Sequence, residues 1–397
     1  MRRTRYLALG AILLVALGAL GAALFVLRRP TGPTLIAVST TPLHCAGARD
    51  TTTRFVAPVT IAVGSDGALW FTEPLDHKIG RLTVTGQYRE YCAPEGELIL
   101  TNDLVTGPNG ALWFLLDAGG VPRHDALGRL TLRGATSRYW PLPRDAYLGY
   151  LVVGPDHAFW LVSEDIVRIP PPLNASNAPA PRPLSGTRFR LGPPRFPRAS
   201  VIADASVVVG PDGALWFAGH GSKSINDNDR GFIGRLAPSG ATRLYDIPFG
   251  LLPRDIVVGP DKALWFTTYG LNGGGGHIGR LTLAGKMSDY ALPPLPPGSH
   301  GHSAPEPADL IVGSDGLLWF VTPGYLGRID RAGHTTYTSI PADDFYGPSY
   351  FPLRASTIVR GPDSALWATE DGGKIARVTA DGTTTQYVLT RPPLPHS

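Results

Sequence analysis

A phrase of eleven residues occurs seven times along this chain, and its repetition limits the possible folds more than any other feature. Each copy combines an apolar segment, a short turn rich in Pro, Asp and Gly, and a second apolar segment containing Trp. The copies are IAVGSDGALWF, LVTGPNGALWF, LVVGPDHAFWL, VVVGPDGALWF, IVVGPDKALWF, LIVGSDGLLWF and IVRGPDSALWA, which begin at Ile61, Leu104, Leu151, Val207, Ile256, Leu310 and Ile358. Repetition at this period indicates a repeat architecture.

Four short strands per repeat account for the pattern. The tryptophans of the seven phrases lie 43 to 56 residues apart, which is the spacing of propeller blades. The segment before the turn is strand A and the Trp segment is strand B, and segments resembling Ile-Gly-Arg-Leu and a Tyr-bearing segment follow as strands C and D. One such sheet has two faces to bury, and stacking sheets in a ring buries both. We therefore predict an all-β, seven-bladed β-propeller with Trp side chains between neighbouring blades.

Two features concern how the ring would close. The segment Thr53 to Val56 resembles a strand D and precedes the first full repeat, so we expect it to complete the last blade beside Thr384 to Leu389. Cys45 and Cys92 are the two cysteines of the chain. They could form one disulfide that joins the N-terminal segment to the first blade, or remain two unpaired thiols.

The N-terminal segment differs in kind from the repeats. Residues Leu7 to Leu27 form an uncharged apolar run whose helical length of about 31 Å matches the hydrocarbon thickness of a bilayer. The run exceeds the apolar part of a typical signal peptide and Arg28-Arg29 follow it directly, which favours a transmembrane anchor over a cleaved signal. We predict an anchor or signal over residues 1–29, a linker over 30–50 and the propeller over 51–397, outside the cytoplasm and either membrane-anchored or secreted.

The charge of the globular part excludes one class of partner. Five of the 36 basic residues lie within the first 29 positions, which leaves 31 basic residues against 32 acidic ones. A domain with this balance lacks the electrostatic footprint of a nucleic-acid binder. We expect a monomer without a nucleic-acid partner.

Internal symmetry separates residues that build the fold from residues that could do chemistry. The Asp of the turn and the Arg of strand C recur in nearly every blade, so we interpret the Asp as a turn residue and the Arg as stacking on aromatic rings. Residues just before strand A and just after strand B vary, and in a propeller they line the mouth of the central channel. The candidate ligand-binding residues there are Glu73, Asp103, Arg254, Asp255, Asp309 and Arg354.

The GPDGALWF and IGRL phrases together resemble the streptogramin lyase family, also called virginiamycin B lyases, over nearly all of the chain beyond the linker. The resemblance implies a propeller that opens the ester-linked ring of type B streptogramins by elimination, using a His base and a magnesium ion held by Glu. The family's Glu-Pro-His-Gly motif before strand A corresponds here to Glu306-Pro307-Ala308. Thr322 stands in place of the partner Glu of strand B, and Arg254 stands in place of the His of the preceding blade.

Matching the last blade instead gives a different partial fit. Glu370 then corresponds to the second metal ligand, while Ser356 and Arg354 replace the base and the first Glu. The resemblance thus makes Glu306 and Glu370 the candidate magnesium ligands. No blade has His at the position of the base, and elimination needs a base within hydrogen-bond reach, so we assign no catalytic residue.

Three functions remain open at this point. We expect a non-catalytic binding or scaffold propeller that engages a small molecule, a peptide or a glycan at the channel mouth. An enzyme is the first alternative, either a lyase with a displaced base or a metal-assisted hydrolase that uses Glu306, Glu73 or Glu370. The second alternative is a structural partner of a membrane complex, bound through Leu7 to Leu27.

Overall fold

The architecture follows from a computed structural model. It describes residues 34–40, 43, 45, 56, 58–93, 98–117, 125–132, 137–143, 149–163, 165–172, 183–189, 199–200, 206–221, 230–248, 250–270, 275–296, 304–322, 325–339, 357–370 and 372–391. The predicted spanning segment Leu7 to Leu27 lies outside these residues. Among the described residues, no helix is long and apolar enough to cross a membrane.

The described residues form thirty strands in seven antiparallel sheets. Strand β1 covers Thr34–Ser39 and precedes the first blade. Strands β2 to β13 are Ile61–Val63, Leu69–Glu73, Lys78–Leu82 and Tyr88–Cys92 in blade one, Leu98–Thr106, Leu112–Asp117, Ala126–Leu130 and Ser137–Pro141 in blade two, and Tyr150–Val153, Phe159–Val162, Ile166–Ile169 and Thr187–Phe189 in blade three. Short 3-10 helices occupy Pro74–Asp76 and Pro108–Gly110.

The remaining blades follow the same plan. Strands β14 to β22 are Ala199–Ser200, Val207–Val209, Leu215–Gly221, Arg230–Leu236 and Thr242–Asp246 in blade four, and Leu251–Val258, Leu264–Gly270, His277–Leu281 and Met287–Ala291 in blade five. Strands β23 to β30 are Ala308–Val312, Leu318–Thr322, Tyr325–Ile329 and Thr335–Ser339 in blade six, and Ile358–Arg360, Leu366–Glu370, Lys374–Val378 and Thr384–Thr390 in blade seven. In blade four, β14 and β15 both pair with β16, so two segments share the position of strand A.

The first strands of the blades form the inner wall of the ring. Contacts run from β2 to β6, β10, β15, β19, β23 and β27, and then from β27 back to β2. Seven sheets arranged in this way make a closed circle, which confirms the predicted seven-bladed propeller. Strand A of each blade therefore borders the central channel.

Strand β1 closes the ring from the N-terminal side. It lies outermost in the sheet of blade seven, whose order is β1, β30, β29, β28 and β27. The Thr390 hydroxyl donates a hydrogen bond to the Val38 carbonyl at 3.2 Å. The expectation that Thr53 to Val56 would occupy this place is wrong, because β1 already pairs with β30. Residues 53–55 lie outside the described residues, and part of the segment expected to be a linker is a strand.

A disulfide supports the same junction. The Cys45 and Cys92 sulfurs are bonded, with their Cα atoms 5.5 Å apart. Cys45 follows the outermost strand of blade seven, and Cys92 ends the outer strand of blade one. The paired alternative is therefore confirmed, and the bond joins the two blades that meet where the ring closes.

The seven repeated tryptophans pack between blades, as predicted. All seven are at most 7% exposed, and each shares an apolar cluster with side chains of the next blade. Trp113, for example, lies 4.5 Å from Phe159 between ring centroids. In blade one, a Cβ on Gly80 would lie 2.1 Å from the Phe71 ring, so the Gly of Ile-Gly-Arg-Leu leaves space for the packed ring.

The turn Asp has a structural role that the repeat pattern did not reveal. In blade one, Asp66 accepts a hydrogen bond from Trp70 Nε1 at 3.0 Å and another from Arg81 Nε at 2.8 Å. The Arg81 guanidinium carbon lies 5.6 Å from the centre of the Trp70 ring, so the predicted stacking is confirmed. Burial alone would raise the pKa of Asp66, but these hydrogen bonds outweigh burial and lower the pKa.

Candidate functional site

The channel mouth is shaped by irregular pairing at the start of strand A. In blade five the register between β19 and β20 shifts between Pro253 and Ile256, so Arg254 and Asp255 are inserted into the pairing. In blade six the shift between Ala308 and Leu310 inserts Asp309. β-bulges of this kind bend a strand and redirect side chains. These three predicted site residues therefore owe their orientation to bulges.

In blades four to seven, the residue directly before the repeated eleven-residue phrase links its blade to the next. We call Ser206, Asp255, Asp309 and Thr357 the inner-ring acceptors. Their side-chain oxygens accept hydrogen bonds from the first amide of the phrase in the following blade, at Ile256, Leu310, Ile358 and Ile61. Asp255 additionally accepts a hydrogen bond from the Ser206 hydroxyl. Two predicted ligand-binding residues, Asp255 and Asp309, thus hold neighbouring blades together at the inner wall.

These two carboxyl groups influence each other. Burial raises the pKa of Asp255. Burial, reinforced by the charge of Asp255, raises the pKa of Asp309 to about 8. A carboxyl group with this pKa is mostly protonated at neutral pH. The pair therefore carries less negative charge at the mouth than two ordinary aspartates would.

Arg254 lies beside this pair and contacts an aromatic ring instead of an acid. Its guanidinium carbon is 5.0 Å from the centre of the Tyr269 ring. The Arg254 Nε atom is buried and has no hydrogen-bond partner among the described residues. In the next blade, the Thr322 hydroxyl is also buried and unpartnered within that part of the chain. Both groups could donate a hydrogen bond to a molecule at the mouth.

Glu73, another predicted ligand-binding residue, belongs to a buried ionic network. Its side chain is fully buried, and its Oε2 atom accepts a hydrogen bond from Arg391 Nη2 at 2.5 Å. Arg391 also pairs with Asp76 at 2.8 Å and with Glu90 at 2.5 Å. Since Arg391 follows β30 and the three acids belong to blade one, this network joins the two ends of the ring.

Tyr88 and Lys78 complete the network, which we call the closure cluster: Glu73, Asp76, Lys78, Tyr88, Glu90 and Arg391. The Lys78 ammonium pairs with Glu90 at 2.8 Å. The Tyr88 hydroxyl lies 3.0 Å from Glu73 Oε1 and 2.8 Å from Glu90 Oε1. One hydroxyl proton cannot serve both contacts at once, so a protonated carboxyl group satisfies the geometry best.

The charges of the closure cluster also favour one protonated carboxyl group. Three acids face two cations, which leaves one negative charge in excess if all groups are ionised. Burial, followed by the charge of Glu90, raises the pKa of Glu73 to about 8. Protonation of Glu73 at neutral pH therefore makes the closure cluster electrically neutral.

The other predicted site residues lie in different blades or outside the described residues. Glu370 is buried, and its Oε2 atom accepts a hydrogen bond from Gln386 Nε2 at 2.7 Å. Glu306 is exposed in the segment before β23. Asp103 lies in β6, but its side chain is not among the described ones, and Arg354 lies outside the described residues altogether.

The assignment of Glu306 and Glu370 as magnesium ligands stays a prediction. Nowhere in the described ranges do three or more His, Cys, Asp or Glu side chains come together in a way that could hold a metal ion. One carboxylate oxygen of Glu370 is already engaged by Gln386.

The closed ring of seven antiparallel sheets, five with four strands and two with five, defines a seven-bladed β-propeller. The virginiamycin B lyase family model matches residues 45–174 and 198–394. The chain belongs to that family, which confirms the resemblance found in the repeats. No curated protein matches the sequence.

Solved structures support the fold. A catalytically inactive histidine-to-alanine variant of virginiamycin B lyase from Staphylococcus aureus, determined with quinupristin, is 26% identical, with a TM-score of 0.51 over 73% of this chain and 87% of that one. A puromycin-hydrolyzing peptidase from Mycobacterium tuberculosis is 14% identical, with a TM-score of 0.55 over 91% of this chain and 58% of that one. A putative 6-phosphogluconolactonase from Bacteroides fragilis is 12% identical, with a TM-score of 0.52 over 85% and 95%. The last two show similarity of fold alone.

Proposed function

We propose that this chain is a ligand-binding propeller that does not open streptogramin rings, and that it acts as a monomer outside the cytoplasm. One observation carries the proposal. Where the family resemblance requires histidines and a second Glu, this chain has Arg254, Ala308 and Thr322. Arg254 and Thr322 present buried donors without partners in the described part of the chain, which suits binding, whereas neither can serve as a base at neutral pH.

Ring opening is the direct test. Purified full-length protein would be incubated with quinupristin and magnesium, and liquid chromatography would separate the cyclic compound from the linear product. We expect no linear product above the level in a magnesium-only control, because loss of a general base forfeits about 10²–10⁴-fold in rate. Accumulation of linear product at a rate proportional to protein concentration would refute the proposal.

A second candidate function has one observation in its favour. Asp309 is adjacent to the position of the family's base, and its pKa of about 8 suits proton abstraction near neutral pH. The protein would then be a lyase or a related enzyme acting on a cyclic ester or peptide. Asp309→Asn distinguishes the two functions, because it would abolish any ring opening that depends on this carboxyl group.

The location outside the cytoplasm rests on the apolar run Leu7 to Leu27 and on the disulfide. Disulfide bonds persist mainly in oxidising compartments, and one joins Cys45 to Cys92. We expect the protein to fractionate with membranes and to be cleaved by protease added outside the cells. Recovery of a soluble product that begins after residue 29 would show instead that the run is a cleaved signal.

A further inference from the structure

We propose that Arg254, held against Tyr269 in blade five, binds the charged group of a small organic anion at the channel mouth. The inference rests on the proposed function, in which the mouth binds a ligand, and it assigns the chemical class of that ligand. Carboxylate and phosphoryl groups share the required chemistry, because both accept paired hydrogen bonds from a guanidinium group.

The backbone around Arg254 is fixed, so its side chain starts from a defined position. The bulge between Pro253 and Ile256 inserts Arg254 into the start of strand A. The Arg254 carbonyl accepts a hydrogen bond from the Ser206 amide at 2.9 Å, which anchors it to blade four. Its neighbour Asp255 is held by hydrogen bonds to blades four and six. Preorganisation of this kind reduces the entropy lost when a ligand is bound.

The side chain of Arg254 differs from the repeated arginines of strand C. Arg81, Arg235 and Arg280 stack on tryptophans and also pair with turn aspartates. Arg254 stacks on Tyr269 but forms no ion pair with any acid of the described residues, and its buried Nε atom has no acceptor there. An unsatisfied buried donor destabilises the folded protein, which is a cost in free energy. A bound anion would remove that cost.

The surroundings favour an anion with an apolar body. The Tyr269 ring offers an aromatic surface beside the guanidinium group. In blade six, the Thr322 hydroxyl at the position equivalent to Thr268 of blade five is likewise buried without a hydrogen-bond partner among the described residues. Burial and the charge of Asp255 raise the pKa of Asp309 to about 8, so this carboxyl group repels an anion little at neutral pH.

The test compares anionic and neutral probes of one shape. Benzoate, phenyl phosphate and benzamide would be titrated into full-length protein at pH 7 by calorimetry. The variants are Arg254→Gln and the matched control Arg243→Gln, since Arg243 also stacks on a tyrosine, Tyr245 at 4.7 Å, but is exposed on an outer strand. Arg254→Lys keeps the charge and loses the planar pair of donors. Circular dichroism and thermal unfolding would establish that each variant is folded.

We expect at least one anion to bind at least tenfold more tightly than benzamide. Its Kd should rise at least tenfold in Arg254→Gln, by less in Arg254→Lys, and stay unchanged in Arg243→Gln. Preference for benzoate or for phenyl phosphate identifies the anionic group. The inference fails if no probe binds, if benzamide binds as tightly as the anions, or if folded Arg254→Gln retains the original Kd.

Failure of this inference can be told apart from failure of the proposed function. If quinupristin binds the protein but Arg254→Gln leaves the Kd of benzoate and of phenyl phosphate unchanged, the mouth binds a ligand but Arg254 does not select an anion. If the protein opens the quinupristin ring, the proposed function is wrong, whatever the anion titrations give.

Discussion

Removal of Arg391 tests whether the closure cluster holds the two ends of the ring together. We consider Arg391→Met, which preserves most of the side-chain volume and deletes the charge. In the native protein, Glu73 carries a proton at neutral pH, because its pKa is about 8. Without Arg391, Asp76 and Glu90 would share the single cation Lys78, and the buried excess charge would be relieved by a second proton.

The cost of that second proton sets the expected magnitude. Protonating a carboxyl group with an ordinary pKa of 4.5 costs about 3.4 kcal/mol at pH 7 and about 0.7 kcal/mol at pH 5. The variant's native state would bind one more proton than the wild type, so its relative stability falls as pH rises. The hydrogen bonds lost with Arg391 add a further cost in stability, and that cost is about the same at pH 5 and at pH 7. We therefore expect Arg391→Met to be destabilised by about 2.7 kcal/mol more at pH 7 than at pH 5.

Urea denaturation at pH 5 and pH 7, monitored by tryptophan fluorescence, would measure the loss in the free energy of unfolding at each pH. Arg360→Met is the matched control, since Arg360 is exposed in β27 of the same blade. The control should change stability by less than about 0.5 kcal/mol at either pH. An equal loss at both pH values in Arg391→Met, or no loss at pH 7, would contradict the charge balance described for the closure cluster.

Three further predictions concern stability. Trp216→Ala should cost about 3–5 kcal/mol in urea denaturation because it leaves a cavity between blades, whereas Leu283→Ala, at a side chain 40% exposed, should cost little. The double variant Cys45→Ser, Cys92→Ser should lose about 2–4 kcal/mol and become insensitive to reductant, since the bond closes a 47-residue separation. Asp309→Asn should become more stable relative to the wild type as pH rises from 6 to 9. The wild type loses stability over this range because its folded state, with a pKa of about 8 at Asp309, holds a proton that the unfolded state releases. If the stability difference between variant and wild type did not change with pH, the raised pKa would be refuted.

The sequence was sufficient to predict the fold because local pattern and global architecture agree. Seven copies of one phrase predicted seven blades, and the position of Trp within the phrase predicted where it packs. The closing strand was assigned to the wrong segment. Residues 34–39 carry no repeat signature, and their pairing with β30 depends on contacts more than 300 residues apart.

The candidate site was less accessible to prediction. The symmetry argument treated Asp255 and Asp309 as variable mouth residues, although Ser206 and Thr357 serve the same inter-blade role with different side chains. A hydrogen-bond acceptor was required there rather than one residue type, so the pattern looked irregular. Arg391 was missed because it lies beyond the last repeat, and only the closed ring brings it to Glu73.

The pairing of β1 with β30 also constrains the order of events when the protein is made. The ribosome produces β1 well before β30, because the contacting residues Val38 and Thr390 lie 352 positions apart in the sequence. Six blades can assemble from neighbouring segments, but β1 must wait for β30 before it can complete blade seven. For a chain exported as we propose, both ends must reach the same compartment before that blade is complete. Until then, β1 keeps an unpaired edge that other chains could occupy.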